Sequence, residues 1–114
     1  MREYAKIFKA LSDPNRLRIV KMLEVRPLCV CEIQAVLNLA PSTVSKHLSL
    51  LRDAGFIYDE KDNKWVNYNI DQYSSNQLVK DLLPLLKKSI PRQDQIKADF
   101  DLVKSVDRNK LCKV

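Results

Sequence analysis

Glycine is almost missing from this chain: Gly55 is the only one in 114 residues. That scarcity excludes glycine-rich phosphate loops, dinucleotide-binding turns and sheets built of many hairpins. Histidine is equally scarce, with His47 alone. One histidine on a helix face, no nucleophile elbow and no glycine loop leave no catalytic constellation to assemble, so an enzyme is not expected. No apolar run approaches the roughly 18 residues a membrane helix needs. The opening segment "MREYAKIFKAL" is charged and amphipathic, without a signal-peptide core, so a cytoplasmic location is expected. Three cysteines are too few, and odd in number, for a disulfide framework. Neither an internal repeat nor a low-complexity segment is present.

The residues that are there form one small, mainly helical domain. Apolar residues make up 46% and charged residues 30%, a globular composition. The net charge of +6 suits either a solvated lysine-rich surface or a nucleic-acid partner.

Periodicity gives the element order. Tyr4, Ile7, Phe8 and Leu11 recur at helical spacing. "SDPNRLRIVKMLE" opens a second helix with Asp13 as N-cap and Pro14 at its first position, and Leu17, Val20 and Leu23 supply its buried face. "CEIQAVLNLAPSTVSKHLSLLRDAG" reads as two helices joined by a tight turn at "NLA". In the second of these Pro41 opens the helix, Val44, Leu48 and Leu51 face inward, and Gly55 ends it. After Gly55 the period changes to two. "FIYDE" and "WVNYNI" flank the turn residues "KDNK", a β-hairpin. "SSNQLVKDLLPLLKKSI" returns to helix with an apolar arc too wide for one core contact, which points to a subunit interface, and Pro84 is expected to kink or end it. Ile96, Phe100 and Val103 mark a last helix, and residues 107–114 read as a loose tail. The expected organisation is a domain over 1–90 for DNA binding and dimerisation, followed by a C-terminal helix and flexible tail over 91–114.

This order is that of a winged helix-turn-helix, in which the second helix of the pair enters the major groove and the hairpin lies against the backbone or minor groove. On helix 41–54 the exposed candidates are Ser42, Thr43, Ser45, Lys46 and His47, all able to reach phosphate or base edges; as an isolated pattern they fit a solvated polar face with helix-capping hydroxyls better. Lys64 in the hairpin turn joins them. Residues 41–70 are balanced in charge, so the electrostatic footprint is expected from Arg16, Arg18 and Lys21 as much as from the reading helix.

"LSDPNRLRIVKML", "LCVCEI" and "LAPSTVSKHLSLLRDAGFI" together resemble the ArsR/SmtB family of metalloregulatory repressors, over roughly residues 3–90. The resemblance implies a homodimeric winged helix-turn-helix that binds double-stranded operator DNA when empty, needs no cofactor to do so, and releases it when a metal or metalloid binds. Tyr4, Phe8, Leu78, Leu82, Leu85 and Leu86 are the candidate dimerisation residues. Arsenite-responsive members carry C-V-C before the recognition helix, often with a third cysteine three positions on. This sequence matches at Cys29 and Cys31 and departs at Gln34.

Soft ions prefer thiolates, and residues i and i+2 of a regular helix do not share a face. Cys29 and Cys31 can therefore hold one ion only if the first helical turn is unwound or absent there, which Pro27 just upstream favours. Cys112 is either a third ligand or a thiol on the tail. The expected inducer is As(III) or Sb(III), with cadmium or lead behind. The alternatives are a thiol redox sensor on the same fold, in which Cys29 or Cys31 pairs with Cys112 or across a dimer, and a ligand-free DNA-binding protein with packing cysteines.

Overall fold

The computed structural model describes residues 1–90 and 94–108. Helix α1 spans Arg2–Leu11, α2 Pro14–Leu23, α3 Val30–Leu37, α4 Pro41–Asp53, α5 Gln77–Ser89 and α6 Asp94–Ser105. Strand β1 is Leu28–Cys29, β2 Ile57–Asp62 and β3 Trp65–Ile70, forming an antiparallel sheet in the order β1-β3-β2. The molecule is mainly helical with a winged helix-turn-helix at its centre.

Local chemistry sets the boundaries. Asp13 Oδ1 accepts from the Asn15 and Arg16 backbone N–H groups at 2.7 and 3.3 Å, capping α2, with Pro14 in the first turn. Asn38, at φ 57°, ends α3 in the left-handed region, and Gly55, at φ 92°, follows α4. The hairpin turn is tighter than the "KDNK" reading: Lys61 and Asp62 belong to β2, and only Asn63 and Lys64 turn, because Asn63 adopts the positive φ (56°) that a two-residue turn requires.

Ile7, Ile19, Leu28, Ile33, Val44, Leu48, Leu51, Phe56 and Val79 form one core. On α2 the buried face is Ile19, Val20, Met22 and Leu23, whereas Leu17 is only half-buried. Helix α5 continues past Pro84, which was expected to kink or end it, so the helix does not end there. Pro84 is exposed, so water can take the carbonyl its missing N–H leaves behind. Along α6 only Val103 of the expected stripe is fully buried; Ile96 and Phe100 are half-buried, and Asp99 goes inward instead. Ordered chain also extends into the expected tail, where Arg108 donates to Asn67 Oδ1 at 3.1 Å and Asp62 Oδ2 at 2.9 Å. Cys112 lies outside the described residues.

Candidate reading helix and thiol site

The stripe Val44, Leu48 and Leu51 buries one side of α4 and so decides which side faces out. Ser42, Thr43, Ser45 and Lys46 are exposed on it, and His47 is half-buried. Thr43, Lys46 and His47 lie at i, i+3 and i+4 and share one face. Pro41 is the first helical residue, so Ser42 and Thr43 sit in the first turn, where unpaired backbone N–H groups and the positive end of the helix dipole favour an anion. Lys64 is exposed at the hairpin tip, its Nζ 5.2 Å from the centroid of the Trp65 ring.

The cations of α2 do something other than expected. Arg16 is 8% exposed: its Nε donates to Ala10 O at 2.8 Å and its NH2 to Lys9 O at 3.1 Å, closing the C-terminal end of α1, and its NH1 lies 3.1 Å from His47 Nδ1. Arg18 is paired with Asp99 of α6, Nε to Oδ2 at 2.7 Å. Lys21 pairs with Glu24 at 2.7 Å and donates to Leu86 O at 3.2 Å. All three are engaged inside the fold, which leaves Lys46, Arg52, Lys61 and Lys64 as exposed cations of α4 and the hairpin, with Arg52 NH1 3.7 Å from Asp59 Oδ1.

Cys29 stands outside α3 as its N-cap, with extended backbone (φ −89°, ψ 169°), while Cys31 is in the first turn. The expected break in the helix between the two cysteines is therefore present. It has a cause that sequence reading missed: Cys29 is also the end of β1, paired with Asn67 of β3. The cap is reciprocal. Cys29 N–H donates to Glu32 Oε1 at 3.0 Å while the Cys29 sulfur faces the Glu32 N–H, the geometry of a capping box with sulfur in place of a hydroxyl. A glutamate three residues after a capping residue was a readable signal, passed over because cysteine is not a usual cap.

Glu32 is buried and also receives Arg26 NH2 at 3.1 Å; the same nitrogen donates to Val103 O and Val106 O at the end of α6. Burial pushes the Cys29 thiol up from its ordinary pKa, the Glu32 carboxylate adds to the rise, and the N–H groups facing the sulfur oppose it. Cys29 and Cys31 pack with Trp65, whose ring is also approached by the Arg108 guanidinium at 5.1 Å. Cys31 is disulfide-bonded. Among the described residues no group of three or more histidine, cysteine or acidic side chains is placed to hold a metal ion.

Tyr4, Phe8 and Leu85 are 47%, 56% and 53% exposed, and Leu78, Leu82 and Leu86 half-buried, so α1 and α5 carry apolar surface that the single chain leaves open. No described helix is long and apolar enough to cross a membrane.

Comparison with known proteins agrees with this geometry. The family described as "Bacterial regulatory protein, arsR family" matches residues 13–59, which run from the cap of α2 into β2. An arsenical resistance operon repressor of Escherichia coli is 41% identical over 59% of this chain and 58% of its own. A cadmium resistance transcriptional regulatory protein CadC homolog of Staphylococcus aureus is 38% identical over 68% of this chain and 64% of its own. For both, the match spans less than two thirds of the relative's length. An arsenical resistance operon repressor of Bacillus subtilis is 34% identical over 73% of this chain and 80% of its own. Among solved structures, HlyU from Vibrio cholerae superposes with a TM-score of 0.63 at 30% identity, covering 76% of this chain and 90% of that one.

Proposed function

The chain belongs to the arsR family of bacterial regulatory proteins, and from that premise we propose that it is a cytoplasmic, homodimeric repressor that binds double-stranded operator DNA through α4 and the hairpin. Ser42, Thr43, Ser45, Lys46 and His47 meet the major groove, and Lys64 meets the adjacent backbone. Tyr4, Phe8, Leu78, Leu82, Leu85 and Leu86 close the dimer. Release follows when As(III) or Sb(III), or another soft ion such as cadmium or lead, takes the Cys29 and Cys31 thiolates of the reduced protein, with Cys112 as a further candidate ligand. The relatives named for arsenical and cadmium resistance support an ion of this class.

One observation carries the reading: Cys29 caps α3, and α3 leads through Asn38 into α4. An ion that takes the sulfur withdraws the cap from the helix that braces the reading helix. Binding the capped and uncapped forms unequally, it must weaken DNA affinity by the same coupling free energy. Trp65 is the only tryptophan and packs against Cys29, so one sample reports both events. Titrating arsenite into reduced protein bound to labelled upstream DNA should change Trp65 emission and release the DNA together. Cys29→Ser should keep DNA binding and lose both responses. An emission change without release would remove the regulatory link.

The disulfide state of Cys31 supports a second reading, a thiol redox repressor. Under it, oxidant rather than arsenite changes DNA affinity, and dithiothreitol reverses the change.

A further inference from the structure

Arg16 sits where three features meet: the carboxyl end of α1, the start of α2 and the reading face of α4. Its guanidinium gives Nε to Ala10 O, NH2 to Lys9 O and NH1 to His47 Nδ1. A guanidinium carries donors only and stays protonated. The contact at 3.1 Å is therefore a hydrogen bond only if Nδ1 accepts, since a proton there would aim one N–H at another. With Nδ1 accepting, the ring proton of the neutral imidazole is on Nε2. His47 makes no other hydrogen bond among the described residues, and no buried polar side-chain atom among them lacks a partner, so Nε2 reaches solvent.

We propose that Arg16 is a positioning residue for DNA recognition: it fixes His47 in the Nε2–H tautomer, so that α4 offers the groove a hydrogen-bond donor at this position. The inference rests on the reading of α4 as the recognition helix. The acceptor is then a purine N7, a guanine O6, a thymine O4 or a phosphate oxygen; the exocyclic amines of adenine and cytosine are not recognised. Because the same guanidinium closes α1, the helix bearing Tyr4 and Phe8 is tied to the imidazole through one side chain.

His47 is the only histidine, so a long-range 1H–15N spectrum of the reduced protein shows one imidazole. The expected spectrum has the proton on Nε2 and a bare Nδ1, and a proton on Nδ1 overturns the proposal without any variant. Arg16→Met should mix the tautomers; an unchanged spectrum in the folded variant overturns the proposal. On fluorescein-labelled DNA from upstream of the gene, Arg16→Met and His47→Ala should each weaken binding about five- to tenfold, and the double variant no more than the worse single. Additive losses overturn the coupling while leaving α4 as the reading helix. Unchanged affinity in both Lys46→Ala and His47→Ala overturns that reading itself. Duplexes carrying 7-deazapurines or methylphosphonates then identify the acceptor, a base nitrogen or a phosphate oxygen, by which of them removes the His47→Ala loss; a loss that survives both identifies a base carbonyl.

Discussion

Arg18 and Asp99 form a two-pronged ion pair, Nε to Oδ2 at 2.7 Å and NH2 to Oδ1 at 2.9 Å, that fastens α6 to α2 across 81 positions of sequence. Asp99 is 2% exposed, so the pair is desolvated on its acidic side. Arg18→Met should cost about 3 kcal/mol, because a buried carboxylate loses the guanidinium that neutralises it. Replacing both, as Arg18→Met with Asp99→Leu, should cost less than either single change. Urea unfolding of the four proteins measures the cycle.

Asp13 contributes to the acid limb of stability. Burial raises its pKa, but the Asn15 and Arg16 N–H groups, with His47 and Arg16 nearby, hold it below the ordinary carboxylate range of 3.8. A carboxylate depressed in the folded state contributes stability above its unfolded pKa and loses it as pH falls through the folded one. Asp13→Asn, which keeps the cap but not the charge, should flatten that loss below pH 4 in thermal melts. Asp13→Ala should remove about 1 kcal/mol at neutral pH as well.

Cys29 contributes on the alkaline side. Its thiol is raised above 9.0 by burial, so the unfolded chain ionises first as pH climbs. The stability this gives is whole below the unfolded pKa and is lost as pH rises through the folded one. Reduced protein should show a steeper fall in melting temperature above pH 9 than Cys29→Ser does. Iodoacetamide should label Cys29 more slowly in the native state than in urea.

Gly55 cannot be replaced without strain. Its φ is +92°, and an added Cβ would lie 2.8 Å from Ser74 Oγ. Gly55→Ala should destabilise by about 1–3 kcal/mol, and Ser74→Ala should recover the steric part only. Thermal unfolding of both variants and their combination separates the two.

Phe8→Glu places a charge on the apolar face of α1. Sedimentation at micromolar concentration should shift toward monomer, with DNA affinity falling at least tenfold, while circular dichroism stays helical.

Helix α4 was legible because its punctuation is local: Pro41 starts it, Gly55 follows it, and the stripe Val44, Leu48, Leu51 fixes its orientation. The break at Cys29 was legible in outcome but not in cause. Strand β1 is two residues long and exists only because β3, nearly forty positions later, pairs with it. Arg16 and Arg18 were read as surface charge, since nothing in the sequence marks an arginine as enclosed. Their partners, the Ala10 carbonyl, His47 and Asp99, come from α1, α4 and α6 and meet only on folding. Pro84 lies inside α5, so of the two outcomes expected of it, a kink or an end, the end does not occur.

A serine at position 29 would cap α3 under every condition the protein meets. Under the proposed function sulfur makes the same contact revocable: an electrophile or soft cation that claims the lone pair competes with the backbone N–H groups that face it, and the first turn of α3 loses that part of its cap. Under the proposed function, the end of β1 and the start of α3 would answer together to the chemical state of the Cys29 sulfur.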